Sequence, residues 1–169
     1  DRVLITVTKP YIPDINKYSE YLNNIFGNGV LTNNGPLVQK LEERLSDFLG
    51  DKNILLVNNG TAAIQLALAA LDIKGHIITT PFSFIATLSP IIINKNRPIF
   101  ADIDPNTFNI LPSNIAALIH GDVEAILPTH VFGNPCECVE IESISKQNKL
   151  KLIFDALHCF NVKHNGQSL

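Results

Sequence analysis

Five short apolar runs recur along the chain: "NILLVN" (53–58), "HIITT" (76–80), "PIFAD" (98–102), "EAILPTH" (124–130) and "KLIFDA" (151–156). Each is a near-continuous apolar stretch of strand length, the pattern of strands covered on both faces. Helical patterns lie between or before them. "PLVQKLEERLSDFLG" sets Leu37, Leu41, Leu45 and Phe48 on one stripe with charges opposite, and Gly50 is its stop signal. "TAAIQLALAALD" is apolar nearly all round, which predicts a helix buried between the sheet and a further layer. "VEIESISKQNK" is amphipathic and ends in lysines, which suit the negative end of a helix dipole. Strand and helix in alternation predict an α/β fold: three layers, αβα, around a mostly parallel sheet. The first forty or so residues precede the first predicted strand, and Tyr11, Ile12 and Tyr18 among them need covering by the sheet or a partner.

At 169 residues, 46% hydrophobic and 17% charged, the chain suffices for one well-buried core, which predicts a single globular unit. The net charge of -3 arises from 13 basic and 16 acidic residues that are scattered, so no basic face points to nucleic acid or an anionic membrane. Apolar runs such as "AAIQLALAAL" fall well short of the ~20 residues of a membrane span, and no basic segment leads into a signal core. These features predict a soluble cytoplasmic protein. The chain starts at Asp1 and contains no methionine, so it reads as a piece of a longer protein or a processed product. Cys136, Cys138 and Cys159 suit neither a disulfide framework nor a zinc knuckle, and reduced thiols are expected. A zinc site recruiting His130 with these cysteines has no C-x-x-C pair behind it.

Ligands of open α/β sheets bind at the carboxyl ends of the strands, so the chemistry-bearing residues are sought just after each run. "NNGTAA" opens a helix through a glycine turn. It reads either as a phosphate cradle with Thr61 adding a hydroxyl, or as Asn59 capping a helix beside a tight turn at Gly60. It lacks the longer glycine spacing of a dinucleotide or P-loop site. In "PFSFIAT", Phe82 and Phe84 stand at a helix start, where either could stack on an aromatic ligand or pack into the core. Asp102 and Asp104 of "ADIDPNT" read as turn and capping residues. "LKLIFDALHCF" ends the last run in Asp155 and His158. The aspartate has two readings, a helix cap or the partner of a cation such as a protonated ring nitrogen, and His158 would steady it if the segment coils into a helix.

In their order, "LTNNGPLVQKLEERLSDFLG", "NNGTAAIQLALAAL", "PFSFIATLSPI", "PIFADIDPNTFNI", "HVFGNP" and "DALHCF" resemble the N-terminal half of a DegT/StrS-type sugar aminotransferase. That is a family of pyridoxal 5'-phosphate (PLP) enzymes of the aspartate aminotransferase fold, PLP fold type I, and the likeness runs from about Thr8 to the end. The resemblance implies that residues 1–169 form the N-terminal part of the PLP-binding large domain, with the small C-terminal domain absent. It implies PLP as cofactor: Gly60 and Thr61 in the phosphate turn, Ala62 offering a further backbone N–H, Phe84 stacked on the pyridine ring, and Asp155 on the ring nitrogen accompanied by His158. Asp155 and His158 are the catalytic residues so implied. Asn134 stands where relatives often carry glutamine and is left outside the set.

The family's Schiff-base lysine follows in a segment like "SFHATK", expected beyond Leu169; neither Lys151 nor Lys163 matches it, so the chain alone is expected to be inactive. The implied reaction moves an amino group from glutamate to a nucleotide-linked keto-deoxysugar, with dTDP-4-keto-6-deoxyglucose as the expected acceptor, in a cytoplasmic homodimer. The alternatives are a PLP-dependent sugar 3-dehydratase of the same family and a noncatalytic truncated relative.

Overall fold

The computed structural model describes residues 8–51 and 53–169. Four of the apolar runs form strands: β1 (His76–Thr79), β2 (Arg97–Phe100), β3 (Val123–Ile126) and β4 (Lys151–Leu152). All pair in parallel, in the order β2-β1-β3-β4. Past its last regular pair the β3–β4 ladder continues in a bridge between Thr129 and Asp155. The sheet therefore extends toward its carboxyl edge farthest between these two strands.

Six α-helices occur among the described residues: α1 (Ile15–Asn28), α2 (Pro36–Leu49), α3 (Gly60–Ala70), α4 (Ile85–Ile93), α5 (Pro112–Ala117) and α6 (Cys138–Gln147). Because successive strand residues face opposite ways, Ile77 and Ile78 serve different layers. Ile77 packs with Ile64 and Leu68 of α3, Ile91 of α4, Ala125 and Leu127. Ile78 packs with Ile126, Ile110, Ile115 of α5 and Ile141 of α6. The expected three-layer α/β arrangement is thus present, with both faces of a mostly parallel sheet covered. Beyond β4 the chain closes in a small antiparallel hairpin of β5 (Lys163–His164) and β6 (Gln167–Ser168).

Three expectations are corrected. Residues 53–58 form no strand. A parallel strand exists only through its ladder, and this run pairs with none of the four strands, so its apolar content alone does not make it β. The helix expected to be buried all round, α3, buries Ile64 and Leu68 but leaves Leu66 exposed, since a layer covers it on the sheet side. Finally, the chain divides into two compact units, one up to Ile54 and one from Leu55 to Leu169, where a single unit was expected. The physical reason is that α1 and α2 bury no side chain: the fully buried core belongs to the second unit. In α2 the predicted stop is observed, with Gly50 in the left-handed region (φ 74) and its N–H bonded to Ser46 O. The expectation that the first forty residues wrap over the sheet falls partly on residues 1–7, which lie outside the described residues.

Ile78 is completely buried where three elements meet, so Ile78→Ala leaves a cavity as well as losing apolar contact. The expected loss is about 2–5 kcal/mol of unfolding free energy, read from chemical denaturation midpoints. A midpoint unchanged from the unsubstituted protein would contradict this packing.

Candidate active site

Connections that leave the carboxyl ends of β1, β3 and β4 converge on one pocket of about 350 Å3. The chain passes from β1 out to β2 on one side and back to β3 on the other, so the pocket lies where the strand order reverses, the usual ligand position in such sheets. Residues 81–84 with Ala86 and Thr87 wall it after β1, residues 129–132 after β3, and Asp155, Leu157 and His158 after β4.

Asp155 is the charged residue of this wall and is half-buried. Its backbone is fixed by the ladder: its N–H donates to Pro128 O at 2.9 Å and its carbonyl accepts from His130 N–H at 3.0 Å. Its carboxylate is fixed on both oxygens. Thr87 Oγ1 donates to Oδ2 at 2.6 Å, and Leu157 N–H donates to Oδ1 at 3.2 Å. Thr87 occupies the first turn of α4 and is 1% exposed; its hydroxyl also meets Ser83 Oγ at 2.7 Å, which lies 3.3 Å from Thr129 Oγ1. No ion pair with Asp155 occurs among the described residues. Its negative charge faces the pocket without a cation of its own.

His158 does not steady Asp155 in the way the sequence suggested. After Asp155 the chain makes a turn closed by Cys159 N–H on Ala156 O at 2.8 Å, instead of a helix, so the one-turn spacing that would bring the two side chains together is not formed. His158 stands exposed at the pocket rim, and Thr87 with the Leu157 N–H does the holding. Thr87, Ser83 and Thr129 were missed by sequence reasoning. The available signal was a hydroxyl within the apolar helix that follows "PFSF".

Of the two phenylalanines at the start of α4, Phe82 packs: its ring stacks on Phe108 at 5.4 Å and meets Phe132 edge-on at 6.4 Å. Phe84 caps α4 and lines the pocket; it is 73% exposed and stacks on no ring among the described residues. That leaves its face open to a ligand.

The turn at Val131–Gly133 is strained and strongly held. Phe132 has φ 55, an uncommon value for a bulky residue, and Gly133 has φ 80. A side chain at Gly133 would place its Cβ 2.7 Å from His158 O, so glycine is required for the two pocket walls to approach. Buried Asn109 anchors the turn by accepting from Val131 N–H at 2.9 Å and donating to the carbonyls of Asn134 and Pro135, each at 3.0 Å. His130 is buried here, its ring stacked on Phe154 at 4.9 Å and its Nδ1 accepting from Cys136 N–H at 3.0 Å. In the neutral ring the proton is therefore on Nε2. The same bond takes Nδ1 away from any metal, and no group of three or more metal-ligating side chains occurs among the described residues. Burial pushes the Cys136 thiol up to about 12, which makes it a poor nucleophile at neutral pH.

Gly60, Thr61 and Ala62 open α3 and are not part of the pocket wall. Gly60 nevertheless lies against it, since a Cβ there would be 2.8 Å from Leu157 Cδ1. Of the two readings of this turn, the helix cap is observed. Asn59 caps the helix by accepting from Ala62 N–H at 2.8 Å, while the N–H groups of Gly60 and Thr61 stay at the free helix start. Asp104 opens a turn as expected: its Oδ1 accepts from Thr107 and Asn106 N–H at 2.9 and 2.7 Å, bonds that lower its pKa, while Asp102 Oδ1 accepts from the adjacent Ile103 N–H at 2.8 Å outside any turn.

Comparison with known proteins adds to this geometry. The model of the DegT/DnrJ/EryC1/StrS aminotransferase family matches residues 14–169. A dTDP-4-amino-4,6-dideoxy-D-glucose transaminase of Shigella dysenteriae is 45% identical over 165 residues, which are 98% of this chain and 45% of that protein. The transaminase of the same name from Escherichia coli is 45% identical over 162 residues, 96% of this chain and 44% of that protein. Among solved structures, DesI in the presence of its TDP-sugar product superposes with a TM-score of 0.85 at 31% identity, over 92% of this chain and 40% of that one. NtdA of Bacillus subtilis with bound cofactor PMP gives a TM-score of 0.80 at 31% identity, over 88% of this chain and 34% of that one. The chain thus spans somewhat under half the length of the curated relatives it matches.

Burial holds the His130 pKa below its ordinary 6.5, with the Asp155 charge acting in the opposite sense. In the unfolded chain the ring takes up its proton near 6.5, while the folded ring does so only at lower pH. Between those values the unfolded state binds more protons, so this contribution to stability is present above 6.5 and is lost as pH falls through the folded pKa. Denaturant unfolding on a pH series is expected to show that loss. It should be smaller in His130→Asn, whose amide oxygen can still accept the Cys136 N–H; identical pH profiles for the two proteins would contradict a buried neutral His130.

Proposed function

The chain belongs to the DegT/DnrJ/EryC1/StrS aminotransferase family, and from that premise we propose that it forms the N-terminal part of the PLP-binding large domain of a sugar-nucleotide aminotransferase. The residues fit PLP on three counts. Asp155 presents a doubly anchored carboxylate that no cation meets among the described residues. Phe84 offers an uncovered ring in the same pocket. The start of α3, where Gly60 lies against Leu157, carries the Gly60 and Thr61 N–H groups and the Thr61 hydroxyl, a donor set suited to phosphate at the positive end of a helix.

In this reading Gly60, Thr61 and the neighbouring Ala62 hold the phosphate, with the Ala62 N–H shared with or released from Asn59. Phe84 stacks on the ring. Asp155 accepts the hydrogen bond of the protonated ring nitrogen, and His158 closes the rim beside it. Bound PLP supplies an electron sink for the charge that develops as an amino group leaves its donor. Around it the chain's work is to orient and to exclude water: Thr87 and Leu157 N–H fix the carboxylate, and the Asn109-anchored turn brings Phe132 over the pocket.

The proposed reaction takes the amino group from glutamate and delivers it to dTDP-4-keto-6-deoxyglucose. The likeness to two dTDP-4-amino-4,6-dideoxy-D-glucose transaminases supports this acceptor. A cytoplasmic homodimer belongs to the same proposal, supported by exposed Tyr18, Tyr21, Leu22 and Phe26 on α1 as surface for a partner. No helix among the described residues is long and apolar enough to cross a membrane.

The observation that carries the proposal is the anchored Asp155 carboxylate facing the pocket. Full-length protein supplied with PLP, glutamate and dTDP-4-keto-6-deoxyglucose is expected to yield 2-oxoglutarate and the 4-amino sugar nucleotide. Asp155→Asn should lower turnover by ~100-fold or more while the protein still folds, as read by circular dichroism. Undiminished turnover in that variant would remove Asp155 from its role. Loss of water from the sugar without amine formation would replace the transaminase with the dehydratase.

A further inference from the structure

The hydroxyls behind Asp155 have one consistent direction. A carboxylate only accepts, so Thr87 must give its single hydroxyl proton to Asp155 Oδ2 across their 2.6 Å contact. Thr87 Oγ1 can then only accept from Ser83, 2.7 Å away, so Ser83 spends its own proton there. Ser83 is left to accept from Thr129 Oγ1 at 3.3 Å. Three hydroxyls, from the β1–α4 connection (Ser83), the first turn of α4 (Thr87) and the segment after β3 (Thr129), therefore form a one-way chain that ends on the Asp155 carboxylate after β4.

We infer that Thr87 is a positioning residue for the cofactor: through this chain it holds the Asp155 carboxylate toward the ring nitrogen, and Ser83 in turn holds Thr87. The inference rests on the reading of the pocket as a PLP site. It goes beyond that reading because Thr87 is buried behind Asp155 and acts through it. Burial matters here. With 1% of its surface exposed, Thr87 is shielded from water that would compete for its bond to Asp155. The Leu157 N–H then holds the other oxygen, so both oxygens are fixed and the carboxylate cannot rotate without losing two bonds.

The test uses full-length protein and reads PLP affinity by absorbance titration, the circular dichroism of bound PLP, and the thermal unfolding of the cofactor-free protein. Thr87→Val keeps the shape and removes the donor. It should raise the PLP dissociation constant about tenfold and weaken the induced circular dichroism, while Thr87→Ser restores both toward the original values. Ser83→Ala should produce a smaller change in the same direction, about two- to threefold, and serves in place of Thr87→Val if the latter fails to fold. In an Asp155→Asn background, Thr87→Val should add little, because its effect passes through the carboxylate.

Unchanged affinity in both Thr87→Val and Ser83→Ala would overturn the inference and leave the cofactor reading standing. So would equal impairment of Thr87→Val and Thr87→Ser, or full additivity with Asp155→Asn. Failure of the unsubstituted protein to bind PLP would overturn the cofactor reading itself, and this inference with it.

Discussion

A 2.6 Å hydrogen bond from Thr87 to Asp155 joins residues 68 positions apart and ties the end of the last sheet strand to the first turn of α4. Everything placed around the pocket depends on that closure. The β3–β4 ladder carries Asp155 beyond the regular strands through its bridge to Thr129, and the hydroxyl chain behind it fixes where its charge points. A buried donor and a half-buried carboxylate satisfy each other here. Removing either would leave the other with an unmet polar group in a low-dielectric setting, which costs more than the bond itself gains.

The opposite wall follows a similar logic with a different device. Asn109 makes three hydrogen bonds to the chain between Val131 and Pro135 and so sustains a turn containing two successive residues at positive φ. Strain of this kind persists where surrounding contacts over-determine it and clusters at working sites. Its result is that Phe132 reaches the pocket while Gly133 lets the turn pass close to the backbone of His158. The two walls are thus held by polar groups that sit behind the surface a ligand would touch.

Much of the framework was legible because apolar runs in a doubly covered parallel sheet are nearly continuous, and four of the five were strands. The run at 53–58 has the same composition but no ladder, and composition does not report pairing. Phe84 and Asp155 stood out by their place just after β1 and β4. Thr87 did not, because one hydroxyl in an apolar helix has no periodic signature and its partner is distant in sequence. His158 was found, yet its predicted contact with Asp155 assumed a helix where the chain makes a turn. The two-unit division was equally hidden. The stripe on α2 reads like any core-facing helix, and amphipathicity states that a face needs a partner without saying which.

The central claim is that the Asp155 carboxylate meets a protonated ring nitrogen. It is tested most directly by 15N NMR of full-length protein loaded with PLP labelled at the pyridine nitrogen. The account predicts the chemical shift of a protonated ring nitrogen in the unsubstituted protein, moving toward the unprotonated value when Asp155 is replaced by asparagine. An unprotonated ring nitrogen in the unsubstituted protein, or a shift insensitive to Asp155, would contradict it.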